Sequence, residues 1–387
     1  MCFSSSTPEV ELQFDLGGRT RITTMLKILN IVGARPNFVK IAPLMEAMKM
    51  NRRVRPILVH TGQHYDQNLS DSFFADLKIP QPDYNLGIGS DSQTQQTAKI
   101  MMALEPICLK VKPDLILVVG DVNSTLAGAL VASKLGIKLA HVEAGLRSGD
   151  RTMPEEINRI VVDHLSDFLF TSLPEGAINL KQEGINTKKI FFVGNVMIDS
   201  LEKLRVASCE LRAWEKFSLL PKEYILVTMH RASNVDEKNP LLELLAALEK
   251  ISLDLKIIWP IHPRTNAKLK EFGLDKQIAM IKSLILSEPL GYLEFLSLEM
   301  QARLVMTDSG GVQEETSYLG VPCLTLRDNT ERWLTVKQGT NQLVKLQTGK
   351  ILSAVKQVLA KPTLKPARFK YWDGRASQRI VRILINH

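Results

Sequence analysis

Charged side chains follow several short apolar runs in this sequence, and these residues are the ones best suited to acid–base chemistry. Asp121 comes after the apolar run 115–119, Glu143 comes after the run 137–142, and Glu155 opens a later amphipathic stretch. Carboxylates that converge on one cleft repel one another, which can raise the pKa of one of them towards neutrality and make it a proton-transfer group. The alternatives are structural: Asp121 could be a helix N-cap, and Glu155 could be a favourable charge in a first helical turn.

Basic side chains occupy other positions that suit the binding of an anion. Arg35 and Lys40 follow Gly33 at the start of a predicted helix, where both could reach a negatively charged group. His230 and His262 each come shortly after a predicted strand of the second half of the chain. The alternatives are two solvated cations on a capped helix and two structural histidines.

The segment 307–315, TDSGGVQEE, has the pattern of a phosphate-binding turn between a strand and a helix. Ser309, Gly310 and Gly311 offer a hydroxyl and unobstructed backbone N–H groups at a predicted helix N-terminus. Glu315, one turn further, could accept hydrogen bonds from neighbouring hydroxyls, as acidic residues do from ribose. The alternative is a glycine-rich turn whose acids only favour the start of the helix.

The elements that must position these residues alternate along the chain. Apolar runs predict strands at 27–32, 56–60, 115–119, 137–142, 168–171 and 190–193, and then at 224–228, 256–259, 304–307 and 322–326. Amphipathic stretches lie between them, which is typical of a parallel, doubly wound sheet. Ligands bind at the carboxyl ends of such strands. The predicted fold is therefore α/β, with two Rossmann-like domains facing a cleft.

The same pattern divides the chain into four segments. Residues 1–24 are expected to be a disordered or mis-called N-terminal extension, and residues 25–193 an N-terminal Rossmann-like domain. Residues 194–368 are expected to form a C-terminal Rossmann-like domain, and residues 369–387 a terminal helix.

Composition excludes several classes of protein. With 45% hydrophobic and 23% charged residues, the chain has the profile of a globular protein rather than a disordered one. The net charge of +8 raises the question of nucleic acid, but basic and aromatic residues form no common stripe, so no nucleic-acid partner is expected. No apolar run approaches the ~18 residues of a membrane span, and the four cysteines lack CxxC spacing. A cytoplasmic protein without membrane insertion or a metal site is predicted.

Six motifs in one order resemble the non-hydrolysing UDP-N-acetylglucosamine 2-epimerase family. The matching motifs are GARPNFVK at 33–40, GDVNSTLAG at 120–128, HVEAGLRSGDRTMPEEINR at 141–159, TMHR at 228–231, TDSGGVQEE at 307–315 and RDNTER at 327–332. The resemblance implies the GT-B fold, with UDP bound by the second domain and the C-terminal helix packed back on the first.

The activity that the resemblance implies is reversible inversion at C2 of UDP-N-acetylglucosamine to give UDP-N-acetylmannosamine, an isomerase reaction that needs no cofactor. The implied route is anti-elimination of UDP to a 2-acetamidoglucal, followed by re-addition. The substrate is then a small UDP-sugar, the enzyme a homodimer, and the product a precursor of a cell-surface polysaccharide.

Roles are carried over residue by residue. The resemblance implies that the catalytic residues are Asp121, Glu143, Glu155 and His230. The implied substrate-binding residues are Arg35, Lys40, Arg147, His262, Phe295, Ser309, Gly310, Gly311, Glu315 and Arg332, with Phe295 against uracil and Glu315 at the ribose.

Alternatives remain open on the sequence alone. A related epimerase could act on UDP-2,3-diacetamido-glucuronate, and a hydrolysing enzyme would release N-acetylmannosamine and UDP. A glycosyltransferase of the same fold and a non-catalytic binding protein are the remaining classes.

Overall fold

The computed structural model describes residues 25–63, 74–360 and 365–387, together with the backbone of two short antiparallel strands, β1 (Leu12–Phe14) and β2 (Thr20–Ile22). The prediction made for residues 1–24 otherwise falls outside the described residues. The side chain of Arg35 also lies outside them.

The first sheet has seven parallel strands in the order β5-β4-β3-β6-β7-β8-β9. Its strands are β3 (Leu26–Val32), β4 (Val54–His60), β5 (Tyr84–Asn85), β6 (Leu115–Val119), β7 (Lys138–Val142), β8 (Phe168–Thr171) and β9 (Ile190–Phe192). Its helices are α1 (Arg35–Lys49), α2 (Gln93–Val111), α3 (Asn123–Leu135), α4 (Pro154–Leu165) and α5 (Pro174–Gln182), with a 3-10 turn at Thr187–Lys189. Every residue of β6 is buried, which is why that strand is uniformly apolar.

The second half begins with the helices α6 (Val196–Leu211) and α7 (Ala213–Lys216) and forms a sheet of six parallel strands in the order β12-β11-β10-β13-β14-β15. Its strands are β10 (Tyr224–Thr228), β11 (Lys256–Pro260), β12 (Leu284–Ser287), β13 (Leu304–Thr307), β14 (Cys323–Thr325) and β15 (Asn341–Leu343). The remaining helices are α8 (Ala232–Val235), α9 (Lys238–Ile251), α10 (Pro263–Glu271), α11 (Asp275–Ala279), α12 (Tyr292–Gln301), α13 (Gly310–Leu319), α14 (Trp333–Lys337), α15 (Thr348–Leu359) and α16 (Ala376–Leu384). In both strand orders the first strand of the sheet, β3 or β10, lies in the interior, third from one edge, as in a Rossmann fold.

The C-terminal helix α16 returns to the first half of the chain. Ile380 and Leu384 are buried in the same apolar core as Leu44 of α1. Arg53 Nη2 donates to the Ile385 carbonyl at 3.0 Å at the end of this helix. The predicted fold class, including the returning helix, is confirmed.

No helix of the described residues is both long and apolar enough to cross a bilayer. Within the same residues, no group of three or more His, Cys, Asp or Glu side chains is arranged to hold a metal ion.

Candidate active site

Asp121 lies at the carboxyl end of β6, in the turn that leads into α3. Val122 is the N-cap residue of α3, so the carboxylate of Asp121 serves another purpose than capping. Arg159 Nη1 donates to Asp121 Oδ2 at 2.5 Å, and the Asn158 side chain donates to the Asp121 carbonyl at 2.8 Å. Burial alone would raise the pKa of Asp121, but the positive charges of Arg159 and Lys40 outweigh it and lower that pKa. The carboxylate is therefore ionised at neutral pH.

Glu143 follows β7 on the same edge of the sheet. Its φ of 77° lies in the left-handed region. Residues other than glycine rarely adopt this backbone conformation, which costs of order 1–3 kcal/mol. The carboxylate is buried between two cations: Lys40 Nζ lies 2.5 Å from its Oε2, and Arg332 Nη2 lies 2.8 Å from its Oε1. Such strain is found at sites where a particular side-chain direction is required. The backbone here aims Glu143 into the cleft between the two sheets.

Arg332 links the two halves of the molecule at this point. It belongs to the second half, and besides Glu143 it contacts Glu314, with Nε 3.2 Å from Oε2, and the carboxylate of Glu331. Arg327 Nη2 lies 2.9 Å from the other oxygen of Glu331. Burial opposes ionisation of Glu331, but Arg332 and Arg327 outweigh it and hold its pKa well below the usual range. The result is a buried ion-pair network that crosses the cleft.

Arg159 is a site residue that the sequence reasoning missed. Its side chain is only 2% exposed and holds Asp121 on one side and Glu156 on the other, with Nη2 2.6 Å from Glu156 Oε2. Glu156 in turn accepts from the backbone N–H groups of Ser148 and Gly149 at 3.0 and 2.9 Å. The signal for this pair was present in the sequence, because Glu156 and Arg159 are three residues apart on a helix and so share a face.

Glu155 has a different environment from its neighbour Glu156. Glu155 lies in the first turn of α4, is partly exposed, and interacts electrostatically with Arg264 of the second half. Arg264 itself donates from Nε to Asp236 at 2.8 Å. Of the two adjacent glutamates, Glu155 is therefore partly exposed and feels the charge of Arg264, whereas Glu156 is buried.

Ser309, Gly310 and Gly311 form the start of α13, directly after β13. A Cβ on Gly310 would lie 2.3 Å from Arg332 Nη1 and 2.9 Å from Glu331 Oε1, so the guanidinium packs directly on this backbone. A Cβ on Gly311 would meet only the end of the flexible Met197 side chain, at 2.9 Å. The helix start thus combines backbone N–H groups with a positive charge, which suits an anion.

His230 and His262 lie together at the ends of β10 and β11, with ring centroids 5.4 Å apart. The buried carboxylate of Asp308 accepts from the backbone N–H groups of His230 and Arg231, at 3.1 and 2.9 Å. His230 Nδ1 lies 3.3 Å from Asp308 Oδ1. His262 caps α10 by accepting from the Arg264 N–H at 3.2 Å. Asp308, which the sequence reasoning did not single out, therefore joins the loop of His230 to the loop of Ser309.

Glu315 is buried one turn into α13. Tyr292 Oη donates to Glu315 Oε1 at 2.7 Å, while burial raises the pKa of this carboxyl to about 7. Phe295, on the same helix as Tyr292, is only partly buried against the core of the second half. A carboxyl group on α13 and a partly exposed aromatic ring on α12 thus lie on adjacent helices.

Arg147 is engaged away from these groups. Its guanidinium donates to both oxygens of Glu183, from Nε at 2.7 Å and from Nη2 at 2.8 Å, and its Nη1 lies 2.8 Å from Asp163. These carboxylates belong to the first half and fix the loop that follows β7. Its assignment to substrate binding stays a prediction, as does that of Arg35, whose side chain is outside the described residues.

The other assigned residues fall into two groups on the strand ends of the two sheets. One group is held by direct contacts around the network of Arg332: Lys40, Glu143, Gly310 and Arg332. The other residues lie at strand ends, at helix starts or within α12 and α13: Asp121, Glu155, His230, His262, Phe295, Ser309, Gly311 and Glu315.

Two parallel Rossmann-like sheets with charged strand ends define a two-domain α/β protein of the GT-B-like class. A family model described as UDP-N-acetylglucosamine 2-epimerase matches residues 46–385. A UDP-N-acetylglucosamine 2-epimerase of Methanocaldococcus jannaschii is 46% identical over 364 residues, which are 93% of this chain and 99% of that protein. The chain belongs to the UDP-N-acetylglucosamine 2-epimerase family.

Two further matches agree. The crystal structure of the Methanocaldococcus jannaschii UDP-GlcNAc 2-epimerase in complex with UDP-GlcNAc and UDP superposes with a TM-score of 0.87 at 45% identity, covering 94% of this chain and 100% of that one. A UDP-2,3-diacetamido-2,3-dideoxy-D-glucuronate 2-epimerase of Pseudomonas aeruginosa is 43% identical over 363 residues, which are 93% of this chain and 99% of that protein.

Proposed function

We propose that this enzyme is an isomerase that interconverts UDP-N-acetylglucosamine and UDP-N-acetylmannosamine by inverting C2 of the sugar. The observation that carries the proposal is the arrangement of the cleft. The carboxylates of Asp121 and Glu143 lie on one sheet, and the anion-binding start of α13 lies on the other, joined by the Glu143–Arg332 pair. We infer from this arrangement that proton-transfer groups on the first sheet face a diphosphate site on the second.

The proposed route is elimination followed by re-addition. A carboxylate takes the C2 proton, the electrons of that bond form the C1–C2 double bond, and the C1–oxygen bond breaks with its electron pair leaving on UDP. Re-addition of UDP to C1 and delivery of a proton to the opposite face of C2 complete the inversion. The route is redox-neutral, so it consumes no electron-carrying cofactor. We assign the proton transfers to Asp121, Glu143 and Glu155.

The rest of the cleft would hold the nucleotide and stabilise departing UDP. We assign the diphosphate to His230, Ser309, Gly310 and Gly311, since N–H groups and cations stabilise a developing negative charge. We also assign to this site the positive charges of Arg35, Lys40, His262 and Arg332. Glu315 would accept from ribose hydroxyls, and Phe295 would pack on uracil.

Incubation with UDP-N-acetylglucosamine in D2O, followed by NMR of the sugar, tests the function. We expect UDP-N-acetylmannosamine with deuterium at C2, because the proton removed there exchanges with solvent. Free N-acetylmannosamine and UDP would show a hydrolysing enzyme instead. Parallel incubation with UDP-2,3-diacetamido-glucuronate tests the activity named for the Pseudomonas relative. Absence of turnover on both sugars would refute the epimerase proposal.

Gly310→Ala is expected to weaken UDP binding by about 10-fold, which corresponds to ~1.4 kcal/mol. The new methyl group would collide with the Arg332 guanidinium at 2.3 Å and push it from the helix start. Gly311→Ala is the matched control, since its methyl group meets only the movable end of Met197. Calorimetric titration with UDP measures both affinities. Equal affinities for the two variants would contradict the assigned position of the diphosphate.

We also propose a homodimer in the cytoplasm. Met102 and Leu109 lie seven residues apart on α2, so they share a helix face, and they are 74% and 59% exposed. An exposed apolar stripe of this kind supports an interface with a second copy.

The free thiols of Cys108, Cys209 and Cys323 are in keeping with a reducing compartment. Residues 25–193 and 194–368 remain our proposed domain boundaries.

A further inference from the structure

His141 lies on β7, two residues before Glu143, and is completely buried. Its Nδ1 is 2.7 Å from Asp163 Oδ1, and its Nε2 is 2.8 Å from the carbonyl oxygen of Gly120. The other oxygen of Asp163 accepts from the Gly145 N–H at 3.0 Å. The ring thus joins the residue before Asp121 to the loop that follows Glu143.

The chemistry of the Gly120 carbonyl and the Asp163 carboxyl group fixes how many protons the two hydrogen bonds of His141 contain. A backbone carbonyl can only accept, so Nε2 must carry a proton. The contact between Nδ1 and Asp163 needs a second proton, which sits either on the ring or on the carboxyl group. Asp163 is paired through its other oxygen with Arg147 Nη1 at 2.8 Å, and this positive charge favours the carboxylate. Both ring nitrogens are therefore donors, and the ring is an imidazolium.

We propose that His141 and Asp163 are positioning residues, and that the imidazolium form of His141 holds the loops of Asp121 and Glu143 in the geometry needed for proton transfer. The proposal rests on the proposed epimerase function. The pair reaches each loop through its backbone, at Gly120 and at Gly145, and not through the proposed acids themselves. Loss of one ring proton would leave a ring lone pair facing an acceptor and release one of the two loops.

The charged groups around the pair keep Asp163 ionised. Arg147 contacts Asp163 directly, and Asp121 and Glu143 carry charge on the same two loops, where each is paired with a cation, Arg159 or Lys40. Burial opposes ionisation of Asp163, but His141 and Arg147 outweigh it and lower its pKa. The Asp163 carboxylate is therefore an acceptor at neutral pH.

The proton count is tested by NMR of the whole protein labelled with 15N-histidine, with His141→Gln used to assign the resonance. We expect both ring nitrogens of His141 to show a directly bonded proton at neutral pH. In Asp163→Asn, the amide can donate to Nδ1 and still accept from Gly145 and Arg147. That variant keeps every hydrogen bond with a neutral ring, and a single N–H signal is expected. A single N–H signal in the unsubstituted enzyme would overturn the proposal.

The kinetic consequence is measured on the same proteins as kcat and KM. Asp163→Asn keeps the hydrogen bonds to both loops and should therefore retain most of its kcat. His141→Gln should lower kcat by about 10²-fold, the scale of a misplaced catalytic group, with a much smaller change in KM. An unchanged kcat in His141→Gln, or a loss of kcat in Asp163→Asn as large as that in His141→Gln, would overturn the positioning role. Absence of epimerisation by the unsubstituted enzyme would refute the function and leave the proton count standing on the NMR result.

Discussion

Replacement of Asp121 by Asn is expected to lower kcat for epimerisation by about 10²- to 10⁴-fold, the range for loss of an acid–base group. The amide has the shape of the carboxylate but cannot take a proton from C2 of the sugar. KM for UDP-N-acetylglucosamine should change much less, because the diphosphate is assigned to the second sheet. Steady-state kinetics with both sugar nucleotides measure the two constants.

The pH dependence of the Asp121 effect gives an independent check. Burial alone would raise the pKa of Asp121, but Arg159 and Lys40 outweigh it and lower that pKa, so the acid limb of kcat should lie at unusually low pH. Arg159→Met removes the first of these charges and should shift the limb to higher pH. Asp254→Asn, an exposed carboxylate near the amino end of β11, is the matched control and should leave kcat unchanged. Near-normal kcat in Asp121→Asn would remove Asp121 from the mechanism.

Arg332→Met is expected to lower the free energy of unfolding by about 3–5 kcal/mol, the cost of breaking a buried ion pair from one side. The substitution leaves Glu143, Glu314 and Glu331 buried without the guanidinium that they share. Arg332→Lys retains the charge but lacks the planar fork, so an intermediate loss is expected. Urea denaturation measures the three proteins.

A double-mutant cycle shows whether this stabilisation crosses the cleft. Glu143→Gln and Arg332→Met should be strongly non-additive, because the two side chains are in contact although their sheets are separate. Arg205→Met is the surface control. Arg205 Nε lies 3.2 Å from the half-exposed Glu202, and its loss should cost no more than about 1 kcal/mol. Additive effects of the first two substitutions would contradict a shared network.

The central strands of both sheets and the edge strand β9 could be predicted from sequence, whereas the other edge strands could not. Strand β6 is a run of five buried apolar residues, and its pattern is clear without any structure. The strands β5, β12 and β15 lie at sheet edges, are two to four residues long and are partly exposed. Pairing on one side only removes the need for a continuous apolar run. The sequences of β5 and β15, YN and NQL, therefore resemble those of loops, whereas β12 is an apolar run of only three residues followed by a serine.

The candidate site shows the same difference: residues at strand ends could be predicted from local sequence, whereas their partners in tertiary contacts could not. Asp121, Glu143 and Ser309 could be predicted because parallel strands bring their carboxyl ends to one edge. The partners of these residues could not, because Arg159 and Asp163 reach the strand ends from a later helix, α4. Side chains at adjacent positions on a helix point about 100° apart. Glu155 and Glu156 therefore have different surroundings although they are the same residue type.

The return of α16 to the first sheet also has a consequence for the order in which the molecule can be built. Ile380 and Leu384 complete an apolar core that begins with Ile28, so contacts within one core are separated by most of the chain. The amino-terminal half leaves the ribosome long before these residues are synthesised. Part of its apolar core therefore stays exposed to solvent until α16 is available. Contacts this distant in sequence form late and slow folding. The first domain to be synthesised is thus expected to be the last to be finished.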